Sequence, residues 1–441
     1  MKRASIVFLL CVYAMVAQAQ DIDTVLHVVT DSLSSQPEKA LVIINQAMAK
    51  NPGSEELLKV RAEAHENLKL YDKAIADYSR LTQMYPDEEN LWYLLGRNQY
   101  NNGQLQDAMK SLHRATRLNP KYLPAFHTKI QVLLQLNQND AALKVSDTTL
   151  NIGGTAMTYF LHGEVCSRLK SWQKAEWAYG TATKIDKGFM EAYIALANIA
   201  VNTNKAREAL EAAESALGID TNSEEALIVR SRGFALLKNY ADAIEDVSDV
   251  IRSEPENINA LYWRGTYYRD ANRLQDAIRD FEQALTLQPD HWQAIAGRAD
   301  TYAKTGNKTI AWEGYQELLK IAANYPEKND IIQLANQQIF ELNRENRAPT
   351  LTLIDPSIEN FEIQVPENLQ SITIKGKITD ENHIKSLTVN GKNIPVTPVG
   401  NDFEFSAVVN LENVQEIQIE ASDVYGNITK VTYMVERSHE N

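Results

Sequence analysis

The sequence has few of the residues that build disulfide-bonded, metal-binding or catalytic sites. Its 441 residues include two cysteines, Cys11 and Cys166, and eight scattered histidines. It contains no Gly-x-Ser-x-Gly, no His-Glu-x-x-His, no phosphate-binding glycine loop and no cysteine pair spaced for a metal. The sequence therefore predicts a protein that is not an enzyme, with no cofactor and no metal, and it leaves binding as the function to look for.

Positive charge is also scarce. The chain carries 44 lysines and arginines against 58 acidic residues, a formal net charge of -14 at pH 7. Nucleic acids and anionic lipid surfaces are bound through a basic face. The composition therefore argues against both as partners and favours a protein partner.

Long apolar runs are missing except near the start. One run, Ile6 to Val16, follows Lys2-Arg3 and precedes Ala17-Gln18-Ala19. This order is typical of a secretory signal peptide at residues 1–19 with a small-residue cleavage site. An uncleaved anchor is the alternative, although the run is shorter than the roughly 20 residues that span a bilayer. We expect an exported protein without a membrane span after cleavage, located in the periplasm, at the cell surface or outside the cell.

A spacing of 34 residues organises the chain from residue 20 to residue 325. In the clearest unit an apolar residue, Gly, Tyr, Ala, an aromatic, Ala and Pro stand at the fourth, eighth, eleventh, twentieth, twenty-fourth, twenty-seventh and thirty-second places: Leu261, Gly265, Tyr268, Ala277, Phe281, Ala284 and Pro289. Alanine recurs at the twentieth place of other units: Ala243, Ala209, Ala175, Ala142 (or Ala141), Ala108, Ala74 and Ala40. This pattern resembles the tetratricopeptide repeat and departs from it in this unit only at Arg264, where the family has Leu.

The resemblance implies a fold. Each unit is a helix-turn-helix pair whose helices approach closely where Gly, Ala or Ser stands. A pair cannot bury its apolar face alone, so about nine units stack into an α-solenoid with a concave groove, the first unit being degenerate.

The pattern changes after residue 325. Lys328 to Glu345 carries an amphipathic stripe and predicts a capping helix at 326–345, followed by a linker at 346–349. From 350 to 437 apolar residues alternate with polar ones, and Asn390-Gly391 is a strong hairpin signal. Six or seven short strands predict a small all-β sandwich, with 438–441 as a tail. The turn-rich stretches resemble the immunoglobulin-like domains of bacterial surface and envelope proteins.

The tetratricopeptide resemblance also implies where a partner binds. In this family the groove is lined by the first helix of each unit, chiefly at its second, fifth, ninth, twelfth and thirteenth places. Counting from the repeats gives ten candidate partner-binding residues: Tyr93, Arg97, Tyr100, Phe126, Ile130, Leu133, Phe160, Arg168, Tyr262 and Arg269.

Two interpretations of the fourth unit stay open. Phe126, Ile130 and Leu133 share one helix face, and they form an apolar anchor for a partner segment if they face the groove. They are core if the frame slips by one residue, which the choice between Ala141 and Ala142 allows.

One known mode of recognition does not fit the sequence. Chaperone-binding members of the family grip a terminal carboxylate with Lys and Asn at the fifth and ninth places of one unit. Here Asn198 stands at a ninth place, but Ile194 replaces the Lys. We therefore do not expect that clamp.

These features predict a non-enzymatic interaction scaffold that holds a protein partner in its groove. Proteins of similar layout are exported envelope proteins of Bacteroidota, and this resemblance implies a Gram-negative cell envelope. The alternative is carbohydrate or peptidoglycan binding through the C-terminal sandwich, where Tyr425 in a turn is the aromatic candidate for stacking. The sequence does not name the partner, the role of the sandwich or the oligomeric state.

Overall fold

A computed structural model describes residues 22–33, 35–323, 329–344, 347–358, 360–381, 383–400 and 402–438. The predicted signal peptide at 1–19 lies outside these ranges. None of the described helices is both long enough and apolar enough to cross a membrane.

Nineteen helices precede the strands in the described residues. Their bounds are α1 Ile22–Leu33, α2 Pro37–Lys50, α3 Glu55–Asn67, α4 Tyr71–Met84, α5 Glu89–Asn101, α6 Leu105–Leu118, α7 Leu123–Gln135, α8 Asn139–Ile152, α9 Ala156–Arg168, α10 Trp172–Ile185, α11 Met190–Asn202, α12 Ala206–Leu217, α13 Glu224–Leu236, α14 Tyr240–Ser253, α15 Ile258–Asp270, α16 Leu274–Leu287, α17 Trp292–Lys304, α18 Lys308–Ala323 and α19 Asn329–Asn343.

The helices form the predicted solenoid units. Helices α1 to α18 make nine helix-turn-helix pairs, and α19 follows as the predicted additional helix and packs on α18. The chain divides into two compact units after Pro289. The first contains eight helix pairs, and the second contains the ninth pair, α19 and all the strands.

One backbone feature marks the turn inside almost every pair. From the second unit to the ninth, the residue at the fifteenth place has a positive φ between 56° and 83°: Lys69, Gly103, Asn137, Lys170, Asn204, Lys238, Asn272 and Gly306. The next amide then donates to a carbonyl five residues earlier, as Gln104 N does to Gln99 O at 2.8 Å. This left-handed ending satisfies carbonyls at the end of the first helix and turns the chain into the second.

The turn residues also locate the slip in the repeat. They follow one another at 34 residues except between Asn137 and Lys170, which are 33 apart. The shortening falls at the connection between α8 and α9, which consists of residues 153–155. Ala142 is fully buried and Ala141 is half-buried, so Ala142 occupies the twentieth place of the fourth unit.

Close approach of the paired helices explains the small residue at the eighth place. A Cβ on Gly265 would lie 2.9 Å from the Phe281 ring, and one on Gly163 would lie 2.6 Å from the Tyr179 ring. Each glycine therefore leaves the space that the aromatic ring at the twenty-fourth place fills.

The structure explains why Arg264 replaces the family's Leu. Its Nε and Nη2 donate to the two carboxylate oxygens of Asp280 at 2.7 and 2.8 Å. Two other units use the same sixteen-residue spacing for an ion pair between their first and second helices: Arg61 with Asp77, and Arg230 with Asp246. Two-point pairs of this kind fix the orientation of both side chains as well as supplying attraction.

The region after α19 contains nine strands in the described residues. They are β1 Thr350–Asp355, β2 Glu362–Pro366, β3 Ser371–Thr379, β4 Ile384–Val389, β5 Lys392–Asn393, β6 Val396–Val399, β7 Asp402–Asn410, β8 Glu416–Asp423 and β9 Ile428–Ser438. One sheet has the order β1-β3-β7-β6 and the other β2-β9-β8-β4-β5. All pairings are antiparallel except that of β2 with β9.

The two sheets share one apolar core. Alternate residues of both sheets enter it, among them Ile374, Ile378 and Phe405 from the first and Ile417 and Ile419 from the second. The predicted hairpin is confirmed, since β4 and β5 flank Asn390-Gly391 with φ of 48° and 75° at the two turn residues. Positive φ at both positions is the form that continues the twist of the strands.

We predict that Asp280→Ala lowers the free energy of unfolding by about 3 kcal/mol, because it leaves the half-buried Arg264 without a counter-charge. The double variant Arg264→Leu with Asp280→Ala should recover most of this loss, since it removes both charges. Urea unfolding followed by circular dichroism measures both. Asp107→Ala is the control, because its exposed pair with Lys110 should contribute less than about 1 kcal/mol. An equal loss in the single and double variants would contradict the argument.

We also predict that Gly103→Ala lowers the free energy of unfolding by about 1 kcal/mol, since Ala resists a φ of 75°. A Cβ there meets nothing within 4 Å, so the cost is conformational only. Gly103→Asn should cost less, because Asn occupies the same place in three other units. Thermal unfolding compares the variants, and a larger loss for Asn than for Ala would show that the turn is not what limits the substitution.

Candidate partner-binding groove

The first helices lie on the inner side of the stack in the first compact unit. Contacts join the first helices of successive pairs, α5 to α7, α7 to α9, α11 to α13 and α13 to α15, and contacts of similar extent are absent between the described second helices. A stack whose first helices approach one another more closely than its second helices curves around the first helices. Their free faces therefore form the concave surface, which we call the groove.

A polar and aromatic cluster, the Arg97 cluster, spans the second to fourth pairs. Arg97 on α5 pairs with Glu66 on α3 at 2.5 Å, and its guanidinium lies 5.2 Å from the centre of the Tyr93 ring. Tyr93 in turn meets the edge of Tyr122, just before α7, at 5.5 Å between ring centroids. Asn98 donates to Glu66 at 3.2 Å. The cluster contains both a cation and its carboxylate partner, and it is internally compensated.

A second cluster, the Arg232 cluster, spans the sixth to eighth pairs. Arg232 on α13 donates to the side-chain oxygens of Asn198 and Asn202 on α11 at 2.6 and 3.3 Å. Its guanidinium lies 5.1 Å from the centre of the Trp263 ring on α15. Trp263 stacks on the buried Tyr267, which keeps the indole in place. Arginine stands at the ninth place here as in the Arg97 cluster, with aromatic neighbours in both.

The remaining sequence candidates have different surroundings. Tyr262 is half-buried, with its ring 5.0 Å from Trp263, and Arg269 pairs with Asp270 at 3.0 Å. Phe160 is half-buried against Tyr179 and Phe189. Tyr100 is half-buried beside the core, and Arg168 is exposed at the end of α9. The structure therefore groups Tyr93 with Arg97, and it places Tyr262 beside the Arg232 cluster.

Three candidates are core residues rather than groove residues. Phe126, Ile130 and Leu133 are 9%, 0% and 3% exposed, and Ile130 and Leu133 pack with Ala142 and Leu161. The slip after α8 puts them at the fourth, eighth and eleventh places, where helices pack against each other. The apolar anchor expected from them is therefore wrong, and the alternative that they are core is correct.

The corrected frame brings His127 and Gln131 to the groove in the fourth pair. His127 Nε2 lies 3.0 Å from Thr158 Oγ1 on the next first helix. Burial lowers the pKa of His127 to about 4, so the ring is neutral at neutral pH. The sequence contained the signal for this frame, because Ala142 lies 34 residues after Ala108.

Sequence reasoning also missed Arg232, Asn202 and Trp263. Arg232 directly follows Ser231, which holds an eighth place, so its ninth place was readable from the spacing. Its asparagine and tryptophan partners lie on neighbouring units, 30 or 31 residues away along the chain. Contacts of that range depend on how the units stack and are not visible within a single repeat.

One buried group resembles catalytic machinery and does not have its properties. Ser146 Oγ lies 3.1 Å from His162 Nδ1, and Cys166 Sγ lies 3.5 Å from His162 Nε2. All three side chains are buried. Burial raises the pKa of the Cys166 thiol and lowers that of His162, so both groups stay neutral. These contacts satisfy polar groups in the core, and no set of three metal-ligating side chains occurs in the described residues.

Known proteins share this repeat architecture. The family model described as Tetratricopeptide repeat matches residues 89–122 and 258–291, which are the third and eighth helix pairs. Among curated proteins, the DnaJ homolog subfamily C member 7 homolog of Schizosaccharomyces pombe is 26% identical over 169 residues. That alignment covers 34% of this chain and 36% of the relative, so the chain spans about a third of the relative's length.

Two solved structures are similar over the helical region. A tetratricopeptide repeat protein from Parabacteroides merdae ATCC 43184 is 15% identical with a TM-score of 0.48, over 59% of this chain and 98% of that one. The APC/C hetero-tetramer Cut9-Hcn1 is 14% identical with a TM-score of 0.48, over 61% of this chain and 53% of that one. Residues 89–122 and 258–291 are tetratricopeptide repeats, and the chain is a helical-repeat protein with a two-sheet C-terminal region.

Proposed function

We propose that the protein is a non-enzymatic scaffold that holds a segment of a protein partner in the groove. The observation that carries the proposal is the row of partly exposed polar and aromatic side chains on successive first helices, from Glu66 and Tyr93 to Arg232 and Trp263. Such a surface offers ring faces and hydrogen-bonding groups over several units, which suits an extended peptide or a helix better than a small molecule.

The proposed site of action is the cell envelope. The support is the signal-peptide pattern at residues 1–19 and the resemblance to exported repeat proteins. In this proposal the two-sheet region is an immunoglobulin-like module that follows the solenoid. Its nine strands in two sheets around one core agree with such a module.

The structure gives less support to glycan binding through the C-terminal region. Tyr425, the stacking candidate, is half-buried, and its ring lies 4.7 Å from that of Phe340 on α19. Part of the ring surface that a sugar would need is therefore already in contact with protein.

We predict that a photo-crosslinking amino acid in the groove captures the partner in cells that naturally make the protein. Asn101, Gln135 and Asn259 are suitable positions, because they are exposed on first helices. The same residue placed at Lys110, Arg252 or Arg279, exposed on second helices, is the matched control. Mass spectrometry should identify one common partner at the groove positions that is absent from the controls.

The outcomes separate the two readings of the protein. Equal capture from both helix faces would contradict a groove-bound partner. Crosslinks to cell-wall fragments, found only when the probe is placed after residue 350, would move the function to the two-sheet region.

We further predict that the mature protein begins at Gln20. Signal peptidase cuts after a small-x-small site, and Ala17-Gln18-Ala19 provides one. Intact-mass measurement of the protein purified from its natural host tests this. A chain that retains Met1 to Ala19 would contradict export by a cleaved signal and with it the envelope proposal.

A further inference from the structure

Arg232 differs from the other arginines of the first helices. Six of them are half-buried and have a carboxylate partner: Arg61, Arg97, Arg230, Arg264, Arg269 and Arg298. Arg232 is equally half-buried and has none in the part of the chain that the structure describes. Its hydrogen-bond acceptors are the neutral amide oxygens of Asn198 and Asn202.

The neighbours of Arg232 position the guanidinium without neutralising it. The two asparagine oxygens accept from Nη1 and Nη2, and the Trp263 ring lies beside the group. Burial lowers the pKa of Arg232, with the phenols of Tyr267 and Tyr262 opposing the shift. An arginine stays protonated even so. The result is a positive charge that is partly removed from water and held in one place on the groove.

A charge in this state attracts an anion more strongly than an exposed lysine does. Its partial desolvation is already present in the free protein, and its orientation is already fixed, so a ligand does not meet those costs on binding. A carboxylate matches the planar guanidinium with two parallel hydrogen bonds. The adjacent indole offers an apolar face for the methylene groups that carry such a carboxylate.

We propose that the Arg232 cluster binds a carboxylate of the partner segment, with Arg232 as the anion ligand, Asn198 and Asn202 as positioning residues and Trp263 as the apolar wall. This inference rests on the proposed groove function and specifies its ligand chemistry. The site differs from the Lys–Asn clamp of chaperone-binding repeats, because Ile194 stands where that clamp has its lysine. The carboxylate comes from an acidic side chain or from a chain terminus.

The Arg97 cluster is the natural comparison. Arg97 also holds a ninth place and also stacks on an aromatic ring, but Glu66 already occupies it at 2.5 Å. An added carboxylate at Arg97 would have to displace a fixed internal one. The proposal therefore predicts selective binding at Arg232 although both arginines line the same groove.

The test uses the full chain labelled with 5-fluorotryptophan, whose Trp263 resonance is assigned from Trp263→Phe. The probes are three acetylated peptides at constant ionic strength: Gly-Gly-Glu-Gly-Gly amide, Gly-Gly-Gln-Gly-Gly amide, and Gly-Gly-Gln-Gly-Gly with a free terminal carboxylate. We expect the first, the third or both to shift the Trp263 fluorine resonance saturably, with a dissociation constant of about 10 mM. The neutral amide should not shift it. Which acid binds tells the two carboxylate sources apart.

Two variants complete the test. Arg232→Gln should abolish the shift, whereas Arg97→Gln should leave it unchanged, and circular dichroism checks that both are folded. No saturable shift with either acid, an equal shift with the neutral amide, or a shift that persists in Arg232→Gln would overturn the proposal. The comparison of acid with amide peptides uses the unmodified chain, so it stands even if Arg232→Gln does not fold.

A separate readout distinguishes this proposal from the groove function. If the peptides fail to shift Trp263 but groove crosslinks from Gln135 and Asn259 persist, the carboxylate site is wrong and the groove proposal survives. If both fail, the groove itself is not the binding surface.

Discussion

The left-handed turn between the two helices of each pair sets the register on which the groove depends. One residue with positive φ ends the first helix and starts the second, so the helices of a pair meet at the same places each time. Small residues such as Gly163 and Gly265 then lie opposite rings at the twenty-fourth place. With these contacts fixed, the ninth place faces the groove in every unit, as Arg97 and Arg232 show.

The slip after α8 shows how strictly this register controls surface and core. A loss of one residue between Asn137 and Lys170 changes the apparent places of the whole fourth unit when counting proceeds from downstream. On a helix, one residue is a rotation of about 100°. That rotation is the difference between Ile130 on the groove and Ile130 fully buried in the core.

The sequence predicted the helix pairs, the additional helix and the two-sheet region because each depends on local periodicity. The Asn390-Gly391 hairpin was predictable for the same reason, since the two residues supply both positive φ angles. Contacts between units were not predictable in this way. The partners of Arg232 lie 30 to 34 residues away and are set by stacking, and the Asp280 carboxylate that accounts for Arg264 lies on the opposite helix.

The placement of arginines gives the first helices two kinds of positive charge. Arg61, Arg230 and Arg264 are matched by an aspartate of the same pair, and they fix one helix against the other. Arg232 is matched only by neutral groups, so its charge contributes little to holding units together and remains available on the groove. In a chain of net charge -14, one exposed lysine would be screened by solvent and by surrounding acids. A half-buried guanidinium fixed between amide oxygens and an indole keeps its field local, which is what a site needs to select an acidic group on an otherwise repelling surface.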